Sequence, residues 1–340
     1  MYALSIAAAS SDNVSKLLAL LMGIAVFAAV FIGILLIASL FKGHLGEKIQ
    51  AAAFVGPTIL FIAIGLIYPA ILTIRRAFYD GKFFDLSFGN ARSRGKFVGF
   101  ENFQALWTTP GLPGVFGNTL AWVILVPLVA TSVGLIYAIL VDRAKGEAVA
   151  KALIFLPMAI SMVGATLIWK FVYYFVGDPT ANQVGLINAT LAKLGMSPID
   201  FLGNAPLNTF SMIVIMIWIQ AGFAMTVLSA AIKAIPDEII EAANMDGVKS
   251  FQMFRFITLP SIRASVIVVL TTIAIATLKA FDIVQASSGG KLGDSVLANE
   301  FYTRSFVTQQ PGLGAAIAIV IFVLVMPIII FNVIQMRKDA

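Results

Sequence analysis

The stretch Glu241–Pro260, EAANMDGVKSFQMFRFITLP, decides the fold of this chain, because it is the long polar interruption in an apolar second half. Apolar or small residues recur around it at helical spacing, every three or four positions. They are Ile240, Ala243, Gly247, Phe251 and Phe254. Pro236, followed by two acidic residues, suits a helix N-terminus. The pattern predicts an amphipathic helical hairpin outside a bilayer, with Gly247 as a flexible point and Pro260 as its end.

The composition places the rest of the chain in a membrane. The chain has 340 residues, of which 60% are hydrophobic and 12% charged, and its mean hydropathy is +0.96. Soluble domains carry about 25% charged residues. The net charge of +6 comes from basic residues scattered through short loops, which argues against nucleic-acid binding. The chain has no cysteine, and its one histidine, His44, is interpreted as solvated, because a metal site needs several ligands.

Seven apolar segments are long enough to cross a hydrocarbon core of about 30 Å as helices. They are Leu17–Phe41, Ile49–Ile74, Val115–Val141, Ala152–Val176, Ala205–Ile232, Ala264–Ser287 and Gly312–Met336. The second is expected to break at Gly56-Pro57 and Tyr68-Pro69, which neighbouring helices tolerate. Lys170 lies among aromatic residues in the fourth and is interpreted as a surface anchor rather than a substrate contact. The sequence therefore predicts an all-α integral membrane protein with about seven transmembrane helices.

The charge distribution predicts the orientation. If the loop 233–263 is cytoplasmic, the inner segments hold 11 Lys and Arg in 52 residues, and the outer segments hold 10 in 108. The denser positive charge then lies inside, as is usual for membrane proteins. With seven spans, the C-terminus is cytoplasmic and the N-terminus is outside. The outer segment 75–114, rich in Gly, Pro and aromatic residues, is expected to form a folded loop on one face of the membrane.

No pattern of an enzyme is found in the sequence. A phosphate-binding GxxxxGK[ST] loop is absent, and Gly290-Lys291 lacks both the upstream glycine and the following Ser or Thr. Neither an HExxH nor a GxSxG motif occurs. The loop carboxylates are Asp142, Glu147, Asp237, Glu238, Glu241 and Asp246. All but one are interpreted as solvated. The exception is Glu241, which suits a charge-assisted contact with a basic partner. We therefore expect a non-catalytic chain without a metal or cofactor.

The order of residues in the polar stretch resembles the cytoplasmic EAA loop of ABC importer membrane subunits. Glu241-Ala242-Ala243 is followed by Gly247, four residues after the second alanine, and by Ile257-Thr258-Leu259-Pro260, which starts ten residues after the glycine. Five fixed residue types at fixed offsets between two spans rarely arise by chance. If the resemblance holds, any ATP is hydrolysed by another subunit.

Further stretches extend the resemblance over roughly residues 50–340 to carbohydrate-importing permeases of the maltose type. They are Gly117-Asn118-Thr119, Leu156-Pro157-Met158, LKAFDIV at Leu278–Val284, and Gly289-Gly290. MIWIQAGFAMTVLSAAIKAIP and VDRAKGEAVAKALIF are most similar to alpha-glucoside permeases. The chain lacks the large inserted outer domain of the maltose example. The resemblance implies a type I importer core of six helices within 49–340, preceded by a tail and one extra helix in 1–48.

The resemblance also implies partners and a substrate. The implied partners are a second homologous permease, two ATPase subunits that hold ATP and Mg, and an extracytoplasmic solute-binding protein. The implied substrate is an alpha-glucoside such as maltose, sucrose or trehalose. The chain would lie among the lipids of the inner membrane. The loop 233–263 would be the coupling helix that seats in an ATPase, with Phe251 and Phe254 expected to be buried. The coupling residues would be Glu241, Ala242, Ala243, Asp246, Gly247, Phe251, Phe254, Ile257, Leu259 and Pro260.

Positions that match sugar contacts of the family lie on the fifth and sixth spans. They are Met216, Gln220, Phe223, Ala276, Thr277 and Ala280. Gln220 suits hydrogen bonds with hydroxyl groups and Phe223 suits stacking on a sugar, but Met216 and the two alanines depart from the family pattern. Lys279 and Asp282, three residues apart on the expected sixth helix, are either a structural ion pair or substrate contacts.

Two rival functions remain at this point. An ion-driven secondary sugar carrier would transport with this chain alone and would need essential charges at the membrane midplane, which the sequence offers sparsely. A membrane-embedded enzyme or assembly scaffold would need a catalytic constellation or a surface patch, and neither is recognisable in the sequence. The EAA-like loop favours the importer permease over both.

Overall fold

The computed structural model describes residues 2–41, 43–80, 96–142, 145–178 and 181–339. In these ranges the helices are α1 (Tyr2–Ser39), α2 (Gly43–Ile62), α3 (Tyr68–Arg76), α4 (Glu101–Thr108), α5 (Leu112–Val141), α6 (Glu147–Phe155), α7 (Met162–Val172), α8 (Leu186–Lys193), α9 (Leu207–Lys233), α10 (Asp237–Met245), α11 (Ser250–Met253), α12 (Leu259–Ser261), α13 (Arg263–Leu278), α14 (Asp282–Ser287), α15 (Leu297–Tyr302) and α16 (Pro311–Asp339). The predicted all-α class is confirmed.

Shorter elements connect these helices. The π-helical turns are Ala63–Ile67, Phe254–Thr258 and Thr303–Val307, and Leu156–Ala159 is a 3₁₀ turn. Two short antiparallel strands, β1 (Tyr79–Asp80) and β2 (Lys96–Phe97), pair with Tyr79 opposite Phe97. In the described parts of the predicted outer loop 75–114, the strand pair β1–β2 and α4 form folded structure. Residues 81–95 of that loop lie outside the described residues.

The helices supply five to seven candidate membrane spans in the described ranges. Five are long and apolar enough by themselves, and they are Val14–Ser39, Gly46–Arg76, Leu112–Val141, Leu207–Lys233 and Pro311–Gln335. Two pairs are bent, by 102° between Ala159 and Met162 and by 70° between Ser261 and Arg263. The number reaches the predicted seven if each bent pair is one span.

Two predicted spans differ from the structure in continuity. The second was expected to break at Gly56-Pro57 and Tyr68-Pro69, but helix continues from Gly43 to Arg76. Pro69 lacks an N–H group and its ring displaces the carbonyl four residues before it, and the π turn Ala63–Ile67 accommodates that change. The fourth was expected as one span, Ala152–Val176. It bends before α7, where Ser161 caps the new helix by accepting a hydrogen bond from the Gly164 N–H at 3.1 Å.

The chain divides into two compact units, Met1–Leu72 and Thr73–Ala340. In the first, α1 packs on α2 through aromatic contacts, with ring centroids of Phe27 and Phe61 5.4 Å apart. Helix α1 begins at Tyr2, so the predicted N-terminal tail is helical. This unit contains the first two predicted spans, whereas the resemblance assigns only the first to the N-terminal extension, and that assignment stays a prediction.

Helix α9 is the centre of the second unit and packs most extensively on α5. Two glycines allow the helices to approach closely. A Cβ added at Gly134 of α5 would lie 2.5 Å from the Ala224 Cβ and 2.7 Å from the Met225 backbone nitrogen of α9. A Cβ at Gly222 of α9 would lie 2.7 Å from the Ile154 carbonyl oxygen of α6. Because backbone cannot move aside cheaply, α5, α6 and α9 form a tightly packed body.

The bundle of this unit has two distinct ends. We call the end that carries the loop 233–263 the loop end, and it also holds the C-termini of α5 and α9 and the start of α6. We call the other end the far end, and it holds the N-termini of α5 and α9 with α14 and α15. A second apolar core lies at the far end, where Leu106, Leu112, Leu297 and Leu313 are buried together.

Candidate functional site

The loop 233–263 forms the predicted helical hairpin. Helix α10 ends at Met245, and Gly247, two residues later, has a φ of +74° and therefore a left-handed conformation that favours glycine. The Gly247 N–H donates to the Asn244 carbonyl at 3.1 Å, and the Val248 N–H donates to the Ala243 carbonyl at 3.1 Å. Helices α11 and α12 with the π turn between them form the second arm. The prediction of a hairpin that turns at Gly247 is confirmed.

The burial of the hairpin differs from the prediction. Phe251 is 73% exposed and Phe254 is only partly buried, so the prediction that both are buried is wrong. Met245 is 88% and Phe256 68% exposed. Exposed apolar side chains of this kind are typical of a surface that another protein covers.

The remaining coupling residues divide between the two faces of the hairpin. Ala243 is buried, whereas Ile257 and Leu259 are partly buried and hold the hairpin on the bundle. The exposed residues are Glu241, Ala242, Asp246, Gly247 and Pro260. Acidic and apolar groups therefore face away from the bundle together, which suits a partner surface with basic and apolar groups.

The expected sugar-contact positions on α9 lie on one helical face, because Met216, Gln220 and Phe223 are spaced by four and three residues. Met216 is fully buried in the main core, and Phe223 packs against that core. Gln220 is partly buried, and its side-chain amide has no hydrogen-bond partner among the residues that the structure describes. The amide is not sealed inside the core, so it is accessible to a ligand or to water. Gln220 is therefore the best-placed group of the three.

The positions on α13 are less available. Thr277 is buried, and its hydroxyl donates to the Ile273 carbonyl of its own helix at 2.7 Å. Ala276 is partly buried against the main core, and Ala280 is 2% exposed.

The expectation that Lys279 and Asp282 share a helical face is wrong. Helix α13 ends at Leu278, and α14 begins at Asp282. Lys279 is the cap of the first helix, so the chain turns between the two charges. Both side chains are exposed, and neither joins an ion pair in the described ranges. The structure does not contain the expected ion pair, and a role of these groups as substrate contacts stays a prediction.

Lys170 is a helix cap in the structure. Its Nζ donates to the Ala286 and Ser287 carbonyl oxygens of α14 at 3.3 and 3.1 Å. A lysine at the C-terminus of a helix satisfies free carbonyls and opposes the negative end of the helix dipole. The structure thus shows a contact between α7 and α14, and the interpretation of Lys170 as a surface anchor stays a prediction.

At the far end, three asparagine side chains hold the segment 289–297, a group that we call the asparagine clamp. Asn118 donates to the Gly293 and Ser295 carbonyls at 2.8 and 3.0 Å, and Asn208 donates to the Leu292 carbonyl at 2.8 Å. The third member, Asn299, donates to the carbonyl of residue 289 at 3.2 Å. Asn118 lies in the stretch 117–119 and the clamped segment begins with Gly289-Gly290, both of which carry the family resemblance, but nothing in the sequence indicates that they meet.

At the loop end, Asp142 and Glu147 are paired, so the interpretation of both as solvated is wrong. The Lys151 Nζ lies 2.8 Å from the Asp142 Oδ1 and 2.8 Å from the Glu147 Oε1. The spacing of four residues between Glu147 and Lys151 on a helix was a signal for this pair. The contact with Asp142 crosses from the end of α5 to α6, and helical periodicity does not report it.

The described residues contain no group of three or more His, Cys, Asp or Glu side chains that could hold a metal ion. The polar groups that the structure brings together are a hairpin with exposed apolar side chains, the partly buried Gln220, and hydrogen-bonded clusters at the two ends. This arrangement suits binding and movement more than covalent chemistry.

Comparison with protein families gives a match over residues 130–338 to the model described as binding-protein-dependent transport system inner membrane component. The osmoprotective compounds uptake permease protein GgtC of Synechocystis is 43% identical over 280 residues, which are 82% of this chain and 96% of that protein. The alpha-glucoside transport system permease protein AglF of Rhizobium meliloti is 38% identical, over 87% of this chain and 85% of that protein.

A third relative and a solved structure agree with these matches. The trehalose/maltose transport system permease protein MalF of Thermococcus litoralis is 34% identical over 62% of this chain and 70% of that protein. The crystal structure of a bacterial ABC transporter involved in the import of the acidic polysaccharide alginate contains a chain that superposes with a TM-score of 0.72 and 22% identity. That match covers 87% of this chain and 99% of the other, and it shows that the fold is shared.

Proposed function

Because the chain belongs to the family of binding-protein-dependent transport system inner membrane components, we propose that it is the permease subunit of an ATP-binding-cassette importer that carries a carbohydrate across the inner membrane. One relative is named for alpha-glucoside transport and another for trehalose/maltose transport. Both names support an alpha-glucoside such as maltose, sucrose or trehalose as the substrate.

The observation that carries the proposal is the exposed helical hairpin between two membrane spans. Phe251, Phe256 and Met245 are exposed in the isolated chain and are available to a partner. In the proposed importer they seat in a cleft of an ATPase subunit, which binds ATP and Mg. Glu241 and Asp246 add charge-assisted contacts with basic groups of that subunit. The exposure of Phe251 fits docking on a partner better than burial within the chain does.

The hairpin passes movement to α9 and α13, because it joins the end of one to the start of the other. Gln220 and Phe223 of α9 and Thr277 of α13 face the transport pathway in this proposal, and Met216 shapes its wall. Lys279 and Asp282 lie near its far-end mouth. Closure of the ATPases then moves the two helices around a site near the membrane midplane, and access alternates between the two sides. The energy comes from contacts that differ between the two states.

The remaining partners and the orientation follow from the same proposal. The complex contains a second homologous permease, two ATPase subunits and an extracytoplasmic solute-binding protein that docks at the far end. The hairpin and the C-terminus lie in the cytoplasm, and the N-terminus lies outside, as the positive charge of the loops favours. The chain itself holds no cofactor in this scheme.

Affinity capture from native membranes tests the proposal. The captured sample is analysed by mass spectrometry, and its ATP hydrolysis is measured with and without maltose or trehalose in the presence of the co-purified or added binding protein. The proposal predicts a second permease, an ATPase and sugar-stimulated hydrolysis. Recovery of this chain alone, with sugar uptake by the chain alone in liposomes, would support an ion-driven secondary carrier instead.

A further inference from the structure

A cluster of charged side chains joins three helices at the loop end. Asp142 caps α5, Glu147 and Lys151 lie on α6, and Ser229 and Lys233 lie on the last turns of α9. We call these five residues the loop-end charge cluster. None of them belongs to the proposed sugar pathway or to the exposed side of the hairpin, so the proposed function leaves their pairing without a role.

The contacts form a network in which each carboxylate is shared. The Lys151 Nζ lies 2.8 Å from both the Asp142 Oδ1 and the Glu147 Oε1, and it also contacts the Ser229 Oγ. Ser229 donates to the Asp142 Oδ1 at 3.1 Å. The Lys233 Nζ lies 3.4 Å from the Asp142 Oδ1 and is hydrogen-bonded to the Glu147 Oε1. Two lysines and two carboxylates therefore meet within one group.

Burial makes this network stronger than a surface ion pair. The Asp142 side chain is 8% exposed, and those of Lys151 and Glu147 are 23% and 26% exposed. Charges that are partly removed from water interact through a lower effective dielectric and are screened less by salt. Removal of one partner would leave Asp142 buried with fewer hydrogen bonds, which is the costly outcome for a buried charge.

The position of the cluster connects it to the hairpin. Lys233 is the last residue of α9, three residues before Pro236, where the hairpin begins. Gly222, which precedes Lys233 in α9, lies against the Ile154 carbonyl of α6, and Gly134 of α5 lies against α9. Helix α9 is therefore fixed to its neighbours both by close packing and, at the end that meets the hairpin, by charge.

We propose that the loop-end charge cluster is a positioning device that makes α5, α6 and α9 move as one body when the hairpin moves. The inference rests on the proposed coupling role of the hairpin. Without the cluster, a displacement of the hairpin would splay the end of α9 away from α5 and α6, and the movement would not reach Gln220. Asp142 and Lys151 act through other groups in this scheme, so they are positioning residues and touch neither sugar nor nucleotide.

The test compares variants in the assembled transporter reconstituted in proteoliposomes with the solute-binding protein. The variants are Lys151→Met, which removes the shared cation, and Lys151→Arg, which keeps a donor for both carboxylates. Sugar uptake and ATP hydrolysis are measured on the same preparation and divided by the amount of assembled complex. Lys151→Met is expected to lower the sugar transported per ATP by about fivefold or more, the lower end of typical coupling effects. Lys151→Arg is expected to retain most of the wild-type ratio.

A charge exchange controls for folding. Glu147→Lys alone places three cations around Asp142 and is expected to lower the ratio, whereas Glu147→Lys combined with Lys233→Glu restores opposite charges and is expected to recover it. If the complex that carries Lys151→Met does not assemble, the ratios of the Glu147→Lys single variant and of the Glu147→Lys, Lys233→Glu double variant test the inference instead. A purely structural role would lower the amount of complex and leave the ratio unchanged in all variants, and that result would overturn the inference.

The same experiment separates this inference from the proposed function. If the wild-type complex transports sugar with ATP hydrolysis and every variant keeps the wild-type ratio, the inference alone is wrong. If the wild-type complex shows no sugar-stimulated hydrolysis, the proposed function is wrong, and the inference is wrong with it.

Discussion

The two ends of α5 and α9 are held by different chemistry. At the far end, Asn118 and Asn208 donate neutral amide hydrogen bonds to backbone carbonyls of the segment 289–297. At the loop end, charged side chains meet other charged side chains. Hydrogen bonds weaken steeply once their angle falls below about 120°, whereas attraction between charges falls only as the inverse of distance. The hydrogen bonds at the far end therefore fix the shape of a backbone segment. The charge contacts at the loop end still attract when their side chains shift slightly.

The close contact of α5 with α9 connects the two ends, so its disruption is expected to have the largest effect. Gly134→Val places a side chain within 3 Å of the Ala224 Cβ and of backbone. The free energy of unfolding is expected to fall by about 3 kcal/mol, at the upper end of usual overpacking costs. Titration of the purified full-length chain with SDS in mixed micelles measures this change.

Gly117→Val is the matched control on the same helix, because a Cβ at Gly117 has no atom within 4 Å. Its effect is expected to stay below about 0.5 kcal/mol, since valine is the better helix former of the two. Equal losses from the two variants would contradict the close packing of α5 and α9.

The asparagine clamp predicts the next effect. Asn118→Asp keeps the shape of the side chain but replaces the donor with an acceptor that faces the Gly293 and Ser295 carbonyls. Loss of two hydrogen bonds with repulsion in their place is expected to cost about 2 kcal/mol, so amide hydrogen exchange in 289–297 should be faster by about thirtyfold. Asn208→Asp, which loses one such bond, should accelerate exchange less. Unchanged exchange in both variants would mean that the clamp does not hold the segment.

The loop end predicts a smaller effect that depends on salt. Lys151→Met removes the cation that two carboxylates share and is expected to lower the free energy of unfolding by about 1.5 kcal/mol, between the values of surface and buried pairs. Lys233→Met, at a side chain that is 50% exposed, is expected to cost about 0.5 kcal/mol. SDS titrations at low and high ionic strength measure both. High salt should remove most of the loss of stability caused by Lys233→Met and less of that caused by Lys151→Met. A larger effect of salt on Lys151→Met would contradict the greater burial of the Lys151 side chain.

An effect as small as that of Lys233→Met is expected at the cap of α14. Lys170→Met removes hydrogen bonds to two carbonyls at a helix C-terminus and is expected to cost about 0.5 kcal/mol. Exchange of the amides in 282–288 should rise slightly, while that of the clamped segment 289–297 stays near wild type. A loss of membrane insertion would instead support the interpretation of Lys170 as a surface anchor.

These comparisons also show what the sequence can and cannot predict. Long apolar runs predicted the spans, and the spacing around Gly247 predicted the hairpin, because both signals are local. The bend before Ser161 and the helix end at Leu278 lie inside apolar runs, where a hydropathy pattern does not change. The pairing of Asp142 with Lys233 joins residues 91 positions apart, and the exposure of Phe251 depends on how the hairpin lies on the bundle, so neither is visible in a local pattern.

The central claim is that the hairpin couples ATP hydrolysis to sugar transport, and one pair of variants tests it most directly. Gly247 and Gly195 both end a helix with a φ near +74°, at +74° and +73°, and each donates its N–H to a carbonyl three residues before it, at 3.1 and 3.0 Å. Proline cannot adopt that φ and has no N–H, so Gly247→Pro and Gly195→Pro impose the same local damage inside and outside the hairpin.

The measurement is sugar uptake per ATP hydrolysed by each reconstituted complex. Gly247→Pro is expected to abolish coupled uptake while the chain stays in the membrane, and Gly195→Pro is expected to retain it. Normal uptake by Gly247→Pro, or equal loss in both variants, would contradict the coupling role of the hairpin.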